Sequence, residues 1–224
     1  MEKLLENLQS KLKCTNFEVL LTFNIPPKKN LDFSVYSFPL LLIENLVPKG
    51  FGTNHNAAFK KAHGEFFCVL NPDILFIDDP FSMLCNRLNI PEVGMVAPKI
   101  IDPEGILQDS AREYPSPLRI LKRVLNRGKN QNVFLESEID WVAGMFMLFK
   151  SDVYNRLCGF DERYFMYCED ADICFRLKEC SYKLVYINEV SVIHDAQRTS
   201  HKELKYVFWH AKSLIRFFIS HPRP

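Results

Sequence analysis

Residues 50–73 read GFGTNHNAAFKKAHGEFFCVLNPD, and this stretch predicts a helix that leads into a buried strand. A glycine-bearing loop from Gly50 opens the helix, which reaches about Lys61. Glu65–Leu70 is then a short apolar, β-prone run that stops at Asn71-Pro-Asp73. A helix followed by such a strand is the repeating unit of α/β domains.

Two short apolar runs before residue 50 extend this pattern. Phe17–Phe23 is β-prone and Pro39–Glu44 is too short for a typical core helix, so both are predicted to be buried parallel strands. Leucines recur at helical spacing in residues 2–13, which predicts an amphipathic helix. Strands alternate with helices up to about residue 97, which predicts a mostly parallel sheet flanked by helices.

Residues 101–200 mix strands and helices less regularly. After a predicted strand at 93–97, strands are predicted over 141–149, 183–187 and 190–194, and helices over 151–157 (with Ser151 as N-cap) and 169–180. The polar, basic, proline-bearing residues 113–138 are expected to carry one helix around Leu118–Leu125. No linker divides the chain, so residues 1–224 are predicted to be one domain.

A closing amphipathic helix is predicted at Lys202–Ser220, within the C-terminal segment 201–224. Its apolar side is expected to dock on the core, with a membrane surface as the alternative. That side carries Leu204, Val207, Phe208, Ala211, Leu214, Ile215 and Phe218.

The composition excludes several classes of function. A formal net charge of +1, from 28 basic and 27 acidic residues, gives no global field for nucleic acid. Seven cysteines without a CxxC pair argue against zinc, and their odd number among apolar neighbours indicates reduced, buried thiols. There is no signal-peptide pattern and no run of about 18 apolar residues. We expect a cytoplasmic protein, with peripheral contact at the inner membrane face left open.

The predicted helix Glu169–Cys180 places one carboxylate among apolar residues. At about 100° per residue, Asp170 shares a stripe with three apolar side chains, and a carboxylate on an inward stripe is costly unless it is used or compensated. Glu169 and Asp172 lie off this stripe, and Asp172 is expected to form an ordinary i, i+4 pair with Arg176. The alternative is that all three acids only favour the helix dipole. The apolar members of the stripe are Ile173, Cys174 and Leu177.

Two more candidates stand at strand ends. Asp73 follows a buried strand, where α/β sheets bind ligands, and an acid there suits a divalent ion that bridges a diphosphate. His194 ends a strand, and Asp195 could orient its ring. An ordinary Asn-Pro-Asp turn and a structural histidine are the alternatives. We expect Asp73, Asp170 and His194 to face one crevice, two as metal ligands and one as a base.

Several blocks of the chain, in order, resemble the family 2 glycosyltransferases with the GT-A fold, especially the rhamnosyltransferase-like branch. They are residues 50–73, 93–117, 140–177 and 182–200. The third block, DWVAGMFMLFKSDVYNRLCGFDERYFMYCEDADICFRL, is the most similar. The first shows the branch's Gly-Phe-Gly, Asn-rich helix start and strand ending in Asn-Pro-Asp. The resemblance implies a GT-A-like sheet, with a nucleotide-sugar half in 1–100 and an acceptor-side half in 101–200.

The resemblance also implies roles for single residues. Asp73 matches the last acid of the family's DxD-type motif, which binds the metal and the donor diphosphate, and Asn71 stands at the first acid. Asp170 matches the general base of the family's Glu-Asp pair, and Glu169 would help to bind or orient the acceptor. His194 matches a histidine that completes the metal site in some relatives.

Four further positions are implied to line the cleft. Gly50 and Asn54, in the Gly-Phe-Gly and Asn-rich block, are placed on the donor side. Trp141 and Gly144 match a segment that lines the sugar and acceptor cleft. The partners implied are Mg²⁺ or Mn²⁺, a nucleotide-diphosphate sugar and a glycan or lipid-linked acceptor.

The N-terminal part departs from the family pattern. The family opens with a strand, whereas here a helix comes first and Phe17–Asn24 aligns with the second strand. Phe23 then replaces that strand's motif Asp, Pro26 replaces its Ser, and His55 stands where relatives usually have Asn. We expect the first family strand to be absent, which leaves an exposed edge that a homodimer or the N-terminal helix could cover.

The expected function is inverting, metal-dependent transfer of a sugar to a hydroxyl of a growing surface polysaccharide or lipopolysaccharide. A degenerate, non-catalytic relative that acts as a binding or scaffold subunit is the first alternative, favoured by the missing strand and Phe23. A nucleotidyltransferase is the second, although it usually needs a Gly-rich loop with a basic residue near the first strand, which we do not find.

Overall fold

The computed structural model describes residues 1–13, 16–27, 32–114, 139–195 and 204–222. The helices are α1 (Glu2–Lys11), α2 (Phe51–Phe59), α3 (Phe81–Leu88), α4 (Ser151–Arg156), α5 (Glu169–Glu179) and α6 (Leu204–Ser220). The strands are β1 (Val19–Phe23), β2 (Leu40–Glu44), β3 (Phe66–Leu70), β4 (Ile74–Phe76), β5 (Val93–Ile101), β6 (Ala111–Arg112), β7 (Trp141–Val142), β8 (Phe146–Lys150) and β9 (Lys183–His194). The helix predicted around Leu118–Leu125 lies outside the described residues.

The main sheet has the order β3-β8-β5-β9-β4. β5 and β9 are parallel, whereas β8 is antiparallel to both of its neighbours and β4 is antiparallel to β9. The α/β class is therefore as predicted, but the prediction of a mostly parallel sheet is wrong for these pairings. The reason is that β8 lies reversed between β3 and β5, so both of its ladders are antiparallel.

β1 and β2 form a separate parallel pair, in register from Val19 with Leu40 to Phe23 with Glu44. In the described residues no ladder joins this pair to the main sheet. Its parallel pairing agrees with the prediction, but the predicted burial does not. Leu41 and Leu42 in β2 are 43% and 40% exposed.

Two apolar clusters pack in the core, one of them beneath α1. The α1 leucines lie in a cluster with Ile74, Leu84 and Phe146, and side chains of both β1 and β3 pack against it. The other cluster includes Phe67 and Val69 of β3, with Leu20 of β1 packed against it. Both clusters therefore contact β1 as well as β3, so the two sheets share the same apolar core.

Strand boundaries differ from the prediction at three places. β5 continues through Pro98, with a register shift between Pro98 and Lys99. The two strands predicted over 183–194 are one strand, β9, and the same irregularity in the β5–β9 pairing absorbs their junction. The strand predicted over 141–149 is broken at residues 143–145 into β7 and β8. That break forms a wall of the site described below.

Two smaller expectations also change. Ser151 is the first residue of α4 rather than its N-cap, and its hydroxyl donates to the Gly64 carbonyl instead. The six described cysteines are unpaired, but Cys158 and Cys180 are exposed, so the prediction of buried thiols is wrong for them. No helix in the described ranges is both long and apolar enough to cross a membrane.

Candidate active site

Asp73 and His194 are brought together by pairing at strand ends. Ile74 of β4 pairs with His194 of β9, and the Asp195 N–H donates to the Asp73 carbonyl at 3.0 Å. This places His194 Nε2 at 3.2 Å from Asp73 Oδ1. Burial tends to raise the pKa of Asp73, but the adjacent His194 outweighs it, and the pKa lies below its ordinary value.

Gln108 fixes the ring of His194. Its amide nitrogen donates to the His194 carbonyl at 2.9 Å, so its amide oxygen faces His194 Nδ1 at 2.8 Å. Nδ1 must then carry a hydrogen, and in a neutral ring Nε2 is left as an electron-pair donor. In the neutral ring this electron pair faces Asp73 Oδ1, whereas in the charged ring Nε2–H faces it, and that is the form that lowers the Asp73 pKa.

This pair fits a divalent cation. Asp73 Oδ1 is buried and lies 3.2 Å from His194 Nε2. A cation between an imidazole nitrogen and a carboxylate oxygen would satisfy both. Within the described ranges no three His, Cys, Asp or Glu side chains converge on a metal position. The remaining ligands would therefore have to come from a bound diphosphate and water.

Asp170 stands at the start of α5 and is held by two backbone donors. Gly144 N–H donates to Oδ2 at 3.1 Å and Ala171 N–H to Oδ1 at 2.9 Å. Burial raises the pKa of Asp170, and the Arg112 charge and these N–H groups offset the rise only in part. The side chain is half-buried, so a reactant can reach a carboxylate of raised basicity.

Glu169 is more deeply buried than Asp170. It is 6% exposed, and its Oε2 has no hydrogen-bond partner. Burial and the negative charge of Asp170 both raise the pKa of Glu169 well above that of an ordinary glutamate. Of the two neighbouring carboxyls, Glu169 is therefore the one that favours its protonated form.

The sequence predicted that Asp170 faces inward and that Glu169 and Asp172 lie off this inward stripe, and this prediction is wrong. Glu169 and Asp172 are buried and Asp170 is the more exposed acid. The reason is that the end of α6 covers this side of α5, where His221 Nε2 lies 2.8 Å from Asp172 Oδ1. The predicted pair of Asp172 with Arg176 is present at 2.8 Å, but Asp172 is only 2% exposed and Arg176 26%, so it is not an ordinary surface pair.

The loop 143–145 lies between the Asp73–His194 pair and the carboxylate of Asp170. The Met145 carbonyl accepts from Asn71 N–H at 3.0 Å, at the end of β3 that leads to Asp73. One residue earlier, Gly144 N–H holds Asp170. The structure therefore places Asp73, His194 and Asp170 at one edge of the sheet, on either side of a shared loop. Their chemical roles stay predictions.

The start of α2 forms another wall. Phe51 N–H donates to the Phe165 carbonyl at 3.0 Å, and a Cβ at Gly50 would lie 2.8 Å from that oxygen. Only glycine lets the helix approach so closely. Phe51 also contacts His55 at 4.4 Å between ring centroids, and burial lowers the pKa of His55 to about 4, so this ring is neutral.

Three asparagines meet at the carboxyl ends of β1 and β2. The Asn45 side-chain amide donates to Asn54 Oδ1 at 2.7 Å and to Asn24 Oδ1 at 2.9 Å. Asn54 is thus near the predicted donor side, but its oxygen is occupied by Asn45. Any contact with a ligand would come from its amide nitrogen.

Trp141, which the resemblance placed in the lining of the sugar and acceptor cleft, is buried. Its indole N–H donates to the Glu113 carbonyl at 3.0 Å, and the Arg112 guanidinium lies 5.0 Å from its ring centroid. Arg112 and Gln108 had no role in the sequence prediction. Both fall in the block 93–117, and the Arg-bearing end of that block was the signal for Arg112. No local pattern marked Gln108.

Comparisons with known proteins agree with this fold. No family model matches the chain. Rhamnosyltransferase WbbL of Escherichia coli K12 is 30% identical over 183 residues, which cover 75% of this chain and 69% of that protein. N-acetylglucosaminyl-diphospho-decaprenol L-rhamnosyltransferase of Mycobacterium tuberculosis is 28% identical over 167 residues, 68% of this chain and 54% of that protein.

Solved structures show the same fold at low identity. Mannosyltransferase PcManGT from Pyrobaculum calidifontis, in complex with GDP-Man and Mn²⁺, aligns with a TM-score of 0.55 at 21% identity, over 84% of this chain and 48% of that one. S. aureus TarS 1-349 in complex with UDP gives 0.55 at 13% identity, over 99% and 69%. Fold and relatives thus define a GT-A glycosyltransferase. The chain belongs to the rhamnosyltransferase-like branch of the family 2 glycosyltransferases.

Proposed function

We propose that this chain transfers a sugar from a nucleotide-diphosphate sugar to a hydroxyl of a growing glycan, with inversion at the anomeric carbon. The observation that carries the proposal is the position of Asp170. A half-buried carboxylate fixed by two backbone N–H groups lies one loop away from the Asp73–His194 pair. A base and a diphosphate site on adjacent walls are what a single in-line displacement needs.

Asp170 is the proposed general base. It takes the proton of the acceptor hydroxyl as that oxygen bonds to the anomeric carbon and the bond to the diphosphate oxygen breaks. Raised basicity suits this role, because an ordinary aspartate is a weak base near neutral pH. Glu169, whose raised pKa favours its protonated form, can then donate a hydrogen bond to the acceptor.

Asp73 and His194 would hold Mg²⁺ or Mn²⁺. When bound there, the ion would offset the negative charge that grows on the diphosphate leaving group. Gly50, Asn54 and Asn71 are proposed to form the donor side. Gly144 is proposed to line the acceptor side with Trp141 packed beneath it.

The acceptor is proposed to be lipid-linked. The Mycobacterium tuberculosis relative is named for an acceptor on diphospho-decaprenol. A polyprenyl chain stays in the bilayer, so an enzyme of this class would work at the membrane surface, and we place this chain on the cytoplasmic face.

The test is Asp170→Asn. We expect turnover to fall by about 10²–10⁴-fold, while affinity for the donor with Mn²⁺ stays nearly unchanged in titration calorimetry. Asp152→Asn is a matched control, because Asp152 also starts a helix and accepts the next N–H, but is exposed. Turnover of Asp170→Asn equal to that of the control would remove Asp170 from the mechanism. No heat from the unmodified chain with any common nucleotide sugar would favour the non-catalytic alternative.

A further inference from the structure

Helix α6 has an apolar face on two sides. The inner side is buried on the body of the protein through Phe217, which is fully buried, and Ser213, whose hydroxyl donates to the Met166 carbonyl at 2.8 Å. The outer side is a stripe of exposed apolar residues, here called the outer stripe: Val207, Phe208, Ala211, Ile215 and Ile219. The expectation that the predicted apolar side docks on the core is therefore wrong for Val207, Phe208, Ala211 and Ile215, since they point outward.

The outer stripe differs from the single apolar residues that are normal on protein surfaces, because its members are highly exposed and adjacent to one another. Its members other than Ala211 are 64%, 67%, 61% and 76% exposed, in chain order. They recur at i, i+1, i+4, i+8 and i+12, so they form one continuous strip along the helix. A helix that is apolar on both sides is typically covered on both sides.

The charged residues of α6 indicate which kind of surface would contact the outer stripe. Residues 204–220 include Lys205, Lys212 and Arg216 and contain no acidic residue. Lys212 is exposed beside the outer stripe, and Arg216 lies between the two faces with its guanidinium 5.9 Å from the Tyr164 ring centroid. An apolar strip with positive charge along one side matches the boundary between acyl chains and anionic headgroups.

The inner side of α6 touches the segment that leads into the proposed base. Trp209 contacts Phe165 at 4.7 Å between ring centroids, and the Phe165 carbonyl is the group that accepts from Phe51 at the start of α2. A helix with its side chains is about 10 Å across. A surface that docks on the outer stripe would therefore lie about one helix diameter from residues 164–168, immediately before Glu169.

We infer that the outer stripe of α6 docks on an anionic phospholipid bilayer and holds the site at the level of the headgroups. This inference rests on the proposed function, because a lipid-linked acceptor gives the docking its purpose. The basic rim supplies the electrostatic attraction, and the outer stripe supplies the apolar burial.

The experiment is vesicle co-sedimentation of the full chain with and without the double substitution Phe208→Ser and Ile219→Ser. Vesicles of phosphatidylcholine alone are compared with vesicles that contain phosphatidylglycerol. We expect sedimentation with the anionic vesicles, weakening as salt rises, and an affinity at least about tenfold lower for the double variant. Val35→Ser is the matched control, since Val35 is 63% exposed on another surface. Both side chains replaced on α6 are exposed, and circular dichroism checks that the variant stays folded.

Each outcome of this experiment either supports or overturns the docking of the outer stripe on a bilayer. Equal binding by the double variant, or no binding by the unmodified chain, overturns the inference. A dimer in sedimentation equilibrium that the double variant abolishes, without vesicle binding, assigns the outer stripe to a second copy and also overturns it. Vesicle binding needs no turnover, so a chain that binds vesicles but transfers no sugar refutes only the proposed function. Transfer to a water-soluble acceptor without vesicle binding refutes only the docking.

Discussion

Replacing Asp172 with asparagine should destabilise the protein far more than expected for a surface pair at the i, i+4 spacing of Asp172 and Arg176. Asp172 is 2% exposed and accepts from Arg176 at 2.8 Å, and His221 Nε2 lies at the same distance from its other oxygen. Asp172→Asn keeps the shape but removes the charge that compensates Arg176. The substitution therefore tests whether this i, i+4 pair behaves as a surface pair or as a buried one.

The two cases differ about tenfold in free energy of unfolding. An exposed i, i+4 pair contributes about 0.3–0.5 kcal/mol, whereas removing one partner of a buried pair costs about 3–5 kcal/mol. Arg176 also donates to the Leu157 and Gly159 carbonyls, which remain after the substitution. We therefore expect the lower end, about 3 kcal/mol, or a fall in Tm of about 6–12 °C for a domain of this size.

Urea denaturation followed by circular dichroism measures the effect. Asp161→Asn is the control, because Asp161 also binds an arginine, Arg163, at 2.6 Å, but the Arg163 side chain is 63% exposed. The control should lose less than about 1 kcal/mol. Equal losses in the two variants would refute the view that the end of α6 seals Asp172 from water.

Two further predictions concern the site. Activity should fall as pH falls through the pKa of Asp170, and Arg112→Gln, which removes a charge that lowers this pKa, should move the acidic side of the pH–rate profile to higher pH. Arg87→Gln, on exposed α3 surface, should leave the profile in place, and a profile that moves equally in both variants contradicts the role of Arg112. Gly50→Ala forces a Cβ to 2.8 Å from the Phe165 carbonyl oxygen, so we expect the free energy of unfolding to fall by about 1–3 kcal/mol. If α2 moves by about 1 Å to relieve this contact, single-turnover transfer should be about 10²-fold slower. Unchanged rates would show that this contact does not position the site.

Strand ends could be predicted from the sequence because they are local features. Asp73 and His194 each follow an apolar run, and ligand sites in α/β sheets lie beyond strand ends. Their proximity then followed from strand pairing alone. Gln108 could not be found in this way, because its contact with His194 depends on a turn after β5 that has no distinctive residue.

Which face of a helix is covered could not be predicted from periodicity alone. On α5 the buried side is set by His221, which arrives at the far end of the chain. On α6 two arcs are apolar, so a period of 3.6 residues fits either as the buried one. The reversed direction of β8 was equally hidden, since it depends on the break at 143–145 rather than on the apolar pattern of the strand.

The separate β1–β2 pair has a consequence for motion in the protein. Among the residues that the structure describes, the β1–β2 ladder joins these two strands only to each other, whereas β5 and β9 are bonded within a wider sheet. Local opening of β1 and β2 should therefore need less free energy than global unfolding, and their amide hydrogens should exchange with solvent before those of β5 and β9. A nucleotide that bridged this pair and α2 would slow that exchange, so deuterium uptake there reports donor capture even when no sugar is transferred.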